Sequence, residues 1–216
     1  MPAAGKGPLP KSGAGVGPLA AALVEAGVGK ALEKVFGAPV GEEVIRDALK
    51  AKMPDLYRYR HQPETQSAIR QRLVDVLRRM PGEDHKVMLI AHSMGSLIAY
   101  DVLKEAARIL PELRITHLVT AGSPLGLVDV KEIVAGPQRV PECVERWSNL
   151  ADPRDWVARW DTLLSDEYPP NGKGVAISDR LVVNGYICPS GKCNPHKIFG
   201  YLRTPEMSDL VAEFDA

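Results

Sequence analysis

Two hydrophobic patterns alternate along the chain: apolar residues recurring every three or four positions, and short runs of almost unbroken apolar or β-branched residues. The first predicts amphipathic helices and the second predicts buried strands. Helical spacing runs over Leu19 to Phe36 and over Glu42 to Met53. It returns over Gln62 to Met80, where Pro63 and Glu64 open a segment repeating Ile69, Leu73, Val76, Leu77 and Met80. Strand character follows at Val87 to Ala91, and an amphipathic helix runs from Leu97 through Leu103 to about Leu110, ahead of Pro111. Arg114 to Ala121 reads as a second strand, Val144 to Leu150 as a third and Arg180 to Tyr186 as a fourth. Thr204, with Pro205 and Glu206 behind it, caps a last helix to about Phe214. Strands that alternate with helices, each apolar along its length, predict an α/β fold: a mostly parallel sheet flanked by helices.

Length and composition narrow this picture. The 216 residues suffice for one well-buried domain, with a Gly-, Pro- and Ala-rich arm over 1–17, a helical region over 18–80 and a core over 86–216. Twenty-seven basic and 27 acidic side chains balance, which argues against nucleic acid as a partner. No run approaches the roughly 18 apolar residues that predict a membrane span, so no stable membrane insertion is expected. Lys6 and Lys11 ahead of Val16 to Val24 loosely imitate a secretory leader, but Gly and Pro interrupt it and Glu25 ends it early. Three cysteines, an odd number, fit a reducing compartment and a cytoplasmic location. Cys188 and Cys193 lie in one loop, close enough in sequence for a local disulfide, and only His196 is near them, which is too few ligands for zinc. No metal or organic cofactor is expected.

The densest chemistry lies at Lys86-Val87-Met88-Leu89-Ile90-Ala91-His92-Ser93-Met94-Gly95-Ser96. An apolar strand stops at a small-residue turn with Ser93 at its apex, and a helix starts at once, the context of a nucleophile elbow. Such a turn strains the serine backbone and projects its hydroxyl above the sheet. Ala91 and Gly95, two before and two after, are small and predict a close approach of strand and helix. The Met94 N–H, at the positive end of the helix dipole, points where an oxyanion would form.

A serine hydroxyl needs a base, and the base needs a carboxylate to orient it. In a parallel sheet these partners belong in loops at the carboxyl ends of later strands. After the third strand come Asp152 and Asp155. Asp155 precedes Trp156-Val157-Ala158, which can hold it firmly, and is favoured as the acid; Asp152, before Pro153, suits a turn residue and remains the alternative. After the fourth strand comes His196, placed where a base belongs. His61 and His85 lie beside helix ends and His117 lies inside a strand. His92 neighbours the nucleophile but points the other way, to pack or to hydrogen-bond locally.

Ile90 through Ser96, the Ala121-Gly122-Ser123-Pro124-Leu125-Gly126 turn, Asn149 through Val157 and the His196 loop together resemble the α/β-hydrolase superfamily, its lipase and esterase branch most of all. The resemblance covers residues 63–215. It implies a reduced α/β-hydrolase fold, a Ser93–His196–Asp155 triad, an acyl-enzyme on Ser93 and the Met94 N–H as an oxyanion donor. It also implies a substrate pocket near His92, Ser123, Pro124 and Leu125, with Leu125, Leu127, Val128, Ile133 and Val134 forming a small apolar wall. The expected substrate is a small-molecule carboxylic ester of short or medium acyl chain.

One departure stands out. The superfamily places several strands before the nucleophile, one ending in a His-Gly-type loop that supplies a second oxyanion N–H. No such strand and no His-Gly pair precedes Ser93. The inner edge of the nucleophile strand is then left to the helices before Pro63, or to a homo-oligomer partner, to cover. The competing expectation is a weakly active or non-catalytic hydrolase-fold binding module that lacks a complete oxyanion hole.

Overall fold

The computed structural model describes residues 54–80, 85–127, 130 and 136–216. The arm over 1–17, the segments Leu19 to Phe36 and Glu42 to Met53, and the wall residues Val128, Ile133 and Val134 lie outside the described residues. The chain divides into two units, Met1–Tyr57 and Arg58–Ala216. Of the first, Pro54–Tyr57 is described, where helix α1 (Pro54–His61) begins; the candidate site lies in the second.

Helix α2 (Pro63–Leu77) starts with Pro63 in its first turn, where a missing N–H costs nothing, and buries Val74 and Leu77. Strand β1 (Met88–His92) leads through Ser93 into α3 (Met94–Lys104). The helix anticipated to run to Leu110 breaks at Glu105 (φ −94°, ψ 1°), and a single turn, α4 (Ala106–Ile109), follows. The Arg70 guanidinium of α2 lies 2.7 Å from Asp101 Oδ1 and 3.0 Å from Glu105 Oε2, and the Tyr59 hydroxyl donates to Asp101 Oδ2 at 2.5 Å. The nearly buried Asp101 carboxylate is thereby paired, as a charge away from water requires.

Strands β2 (His117–Ala121) and β3 (Trp147–Ala151) are buried at every position, while β4 (Ile177–Leu181) is partly exposed. The sheet is all parallel in the order β1-β2-β3-β4, a general α/β arrangement. The fourth strand therefore starts and ends earlier than the Arg180 to Tyr186 run that hydropathy predicts. Asp179 sits mid-strand, opposite Asn149, and accepts from Asn149 Nδ2 at 2.9 Å, Leu164 N at 3.0 Å and Ser165 N at 2.9 Å. An acid disfavours strand propensity, but here the neighbouring loop satisfies it and context wins. Two short helices close the chain: α5 (Ile198–Tyr201) and α6 (Pro205–Asp215), the latter capped by Thr204 Oγ1 accepting from Met207 N.

Side-chain alternation gives the sheet two covered faces. On one, Val119, Ala121 and Leu150 pack with Val182, Tyr201 and the Met207 and Leu210 side chains of α6. On the other, Trp147 stacks with Tyr100 of α3 and with Tyr168, ring centroids 5.7 and 5.8 Å apart. Full burial of each Val, Leu or Met side chain among these contributes about 1.5–3 kcal/mol.

The register decides where the loops emerge. Pairing continues one residue beyond the strands: Ser93 N–H donates to Ala121 O at 3.1 Å, Gly122 N–H to Leu150 O at 3.1 Å and Val182 N–H to Ala151 O at 3.0 Å. The first loop residues after β1, β2, β3 and β4 thus meet along one rim. Among the described residues no helix is long and apolar enough to cross a membrane.

Candidate active site

Ser93 adopts φ 54° and ψ −131°, the one positive φ on a non-glycine among the described residues. Such a conformation costs on the order of 1–3 kcal/mol and persists only where surroundings over-determine it. Here they do: the Ser93 amide is tied to β2, and its carbonyl accepts from Ser96 N–H at 2.9 Å. Ala91 is buried and its carbonyl accepts from the Ser96 hydroxyl at 3.1 Å. Gly95 departs from expectation: a Cβ there would meet nothing within 4 Å among the described residues, whose packing therefore does not demand its smallness. Strand β1 is an edge strand among the described residues. Met94 occupies the first helical position, where an N–H has no acceptor within its own helix.

His196, in the loop between β4 and α5, brings Nε2 to 2.9 Å from Ser93 Oγ. Its Nδ1 lies 2.9 Å from both carboxylate oxygens of Asp155. A carboxylate only accepts, so Nδ1 carries the proton and Nε2 is free to accept from the serine hydroxyl. Asp155 is fully buried, and the His196 side chain is 18% exposed. Besides the imidazole, Asp155 Oδ1 accepts from Val157 N–H at 2.9 Å and Oδ2 from the Tyr201 hydroxyl at 2.7 Å. Gly122 makes room for this cluster. It holds φ +55°, and a Cβ there would stand 2.7 Å from Asp155 Oδ2 and 3.0 Å from Tyr201 Cε2. Glycine is required at this position both for backbone and for space.

Asp152, the alternative acid, is equally buried but faces other groups. Its Oδ1 accepts from Arg154 N at 2.8 Å and Nε at 3.1 Å; its Oδ2 accepts from Arg154 Nη2 at 2.7 Å and Asn184 N at 2.6 Å. Burial works against its charge, yet these bonds outweigh it and hold the carboxyl below its ordinary range. Asp152 is thus the local turn acceptor that its place before Pro153 suggests, and a clamp between two loops.

The base loop is fastened from both sides. Asn184 Nδ2 donates to the carbonyls of Pro195 at 2.6 Å and Lys197 at 2.8 Å. Between them, the His196 carbonyl lies 2.7 Å from His92 Nε2, the donor to it. The two imidazole centroids stand 4.8 Å apart, and the Trp156 ring centroid lies 5.5 Å from that of His196. Burial lowers the His92 pKa, favouring its neutral form beside His196. His92 therefore bonds across the site and not within its own turn.

Of the remaining expected pocket residues, Ser123, Pro124 and Leu125 are all buried. The Ser123 hydroxyl accepts from Leu125 N–H at 3.3 Å, and the Leu125 carbonyl accepts from Tyr168 at 2.8 Å. They shape the turn that delivers Gly122. A cavity of about 300 Å³, lined by Leu77, His85, Val87, Leu110 and Arg114 among others, lies at the opposite, amino-terminal end of the strands. Cys188 and Cys193 are free thiols, so the local disulfide does not form. Their loop is closed instead by Cys188 N–H donating to Lys192 O at 2.8 Å.

Tyr201 and Asn184 were not legible as site residues. Asn184 falls inside the segment that hydropathy assigns to a strand, and Tyr201 reads as one more apolar position after His196. The usable signal was polarity out of place: an Asn within a Val-rich run, and a Tyr five residues beyond a candidate base.

No family model, curated protein or solved structure matches the chain.

Proposed function

We propose that the chain is a serine hydrolase of carboxylic esters, built on a reduced α/β-hydrolase fold. One observation carries the reading: an unbroken relay from Ser93 Oγ through His196 to buried Asp155, each link 2.9 Å, with the serine on a strained elbow at a helix start. A structural serine needs none of these features, and strain of this kind clusters at functional sites.

In this reading His196 Nε2 takes the Ser93 proton as Oγ attacks the ester carbonyl. The negative charge that develops on the carbonyl oxygen is met by the Met94 N–H and the amino end of α3. Collapse breaks the ester C–O bond, His196 returns the proton to the departing alcohol, and the acyl group remains on Ser93. Water, activated by the same imidazole, then releases the acid. Asp155 holds the productive tautomer and faces the imidazolium throughout.

The test is a series of p-nitrophenyl esters of increasing acyl length, assayed with the full chain and with Ser93→Ala. Turnover that disappears in Ser93→Ala supports the reading; turnover that survives the substitution removes it. One observation favours a second reading, a weakly active or non-catalytic binding module. Strand β1 ends the sheet among the described residues, on the flank where the superfamily's second oxyanion donor would come from. Loss of one such donor costs about 10²–10³ in turnover. Folded protein that binds an ester without cleaving it would decide for that module.

A further inference from the structure

Resting on the triad reading, we infer that Tyr201 is the positioning residue of the acid: its hydroxyl fixes the direction of the Asp155 carboxylate. A carboxylate turns about its Cβ–Cγ bond unless each oxygen has its own donor. For Asp155, Oδ1 is taken by the Val157 N–H and Oδ2 by the Tyr201 hydroxyl. The imidazole Nδ1 then sits 2.9 Å from both oxygens, centred on the pair. The Val157 donor is part of the same loop as the acid. Tyr201 comes from 46 residues later and ties the acid to the core.

The phenol is itself rigid. Its ring is fully buried among Val119, Ala121, Leu150, Val182, Met207 and Leu210. Its carbonyl accepts from the Thr204 amide at 3.2 Å and the Thr204 hydroxyl at 2.9 Å, which locks the junction into α6. Its oxygen also accepts from Asp152 N–H at 3.2 Å, so the hydroxyl hydrogen is directed at Asp155 Oδ2. Burial, then the neighbouring Asp155 charge, push the phenol far above its ordinary pKa, so it remains a donor at any working pH. Gly122 completes the seat, since any side chain there would strike Oδ2 and the tyrosine ring. The carboxylate is thus aimed before the imidazolium forms, and no reorganisation is needed when it does.

The variant is Tyr201→Phe in the full chain, which keeps the ring and removes the bond. The control is Tyr100→Phe, which removes another buried tyrosine hydroxyl, bonded to Arg139 O and N at 3.1 Å, remote from the acid. Tyr201→Phe is expected to lower kcat on p-nitrophenyl acetate about tenfold at unchanged KM. It is also expected to broaden the low-field proton NMR signal of His196 Nδ1–H in the unliganded protein, while Tyr100→Phe alters neither readout. Wild-type kcat together with a wild-type Nδ1–H signal in Tyr201→Phe overturns the inference. So does an equal loss in both variants, which would mark a merely structural hydroxyl. The NMR readout does not depend on turnover. A chain that cleaves no ester but shows the broadened signal only in Tyr201→Phe retires the esterase reading and keeps the positioning role.

Discussion

Ile90 and Val119 are register partners across β1 and β2, yet Ile90 is 39% exposed and Val119 is 0% exposed. That pair marks the boundary between two differently built flanks of the candidate site. On the acid–base flank, β2, β3, β4 and the loops beyond them deliver Asp155, His196, Tyr201, Asn184 and Gly122, and their polar groups are matched by named partners. On the nucleophile flank, Ser93 and Met94 hang from an edge strand, fastened to the sheet on one side among the described residues. The difference teaches where precision resides. The Ser93–His196–Asp155 hydrogen bonds are fixed by packing that also holds the fold together, whereas the proposed oxyanion side rests on one helix start.

The largest effects should separate the two acids. Ser93→Ala and His196→Ala are expected to lower kcat by about 10⁴–10⁶, and Asp155→Asn by about 10⁴. Asp152→Asn should cost less than about tenfold in kcat/KM but about 1–3 kcal/mol in stability, because it loosens Arg154 and Asn184. Steady-state kinetics and urea unfolding on the same preparations check this; the reverse ranking would mean that the acid lies on the wrong residue.

Next come the two glycines. Gly122→Ala is expected to lower turnover about 10²-fold by displacing Asp155, with left-handed strain of about 1–2 kcal/mol. Gly95→Ala should leave stability unchanged or raise it by up to about 1 kcal/mol, since none of the described residues stands within 4 Å of the new methyl and alanine favours helix. Paired thermal melts and ester kinetics measure both. A Gly95→Ala variant that fails to fold would mean that the elbow is more crowded than its geometry indicates.

Acid should expose a weakness in the buried sheet away from the triad. His117 is buried on β2, bonded to Ser148 and facing Arg146, and its pKa falls to about 4, through burial first and then through Arg146 and Arg180. The unfolded chain binds a proton at a higher pH than the folded chain, so stability rises with pH across this window. It is lost as pH falls from about 6.5 towards 4, by about 3 kcal/mol in all. Denaturant midpoints measured across that range should show the slope, and His117→Gln should flatten it.

The smallest pair returns to the boundary itself. Val119→Ala should destabilise by about 2 kcal/mol and Ile90→Ala by about 0.5 kcal/mol. Equal costs would indicate that the β1 edge is covered in solution, by a second copy or otherwise.

The same contrast explains what the amino-acid sequence makes legible. The elbow is a local device, strand, Ser93 and helix in one stretch, and the order Ser93, Asp155, His196 follows from the rule that loops gather at strand ends. Short-range chemistry also identifies Asp152 before Pro153 as a turn acceptor. The position of β4 is not local. Asp179 is stable in a strand because Asn149, Leu164 and Ser165 reach it from elsewhere in the chain. Tyr201 and Asn184 escape notice for the same reason: their partners lie 46 and up to 32 residues away, and no periodicity records them. Gly95 errs the other way, since a motif glycine suggests crowding that none of the described residues imposes.

The most direct measurement is mass spectrometry of the folded chain after reaction with a fluorophosphonate, which traps a serine only when a base activates it. The account predicts a single adduct on the peptide carrying Ser93, absent in Ser93→Ala and strongly slowed in His196→Ala. Folded protein that stays unmodified, or an adduct on any other residue, would contradict it.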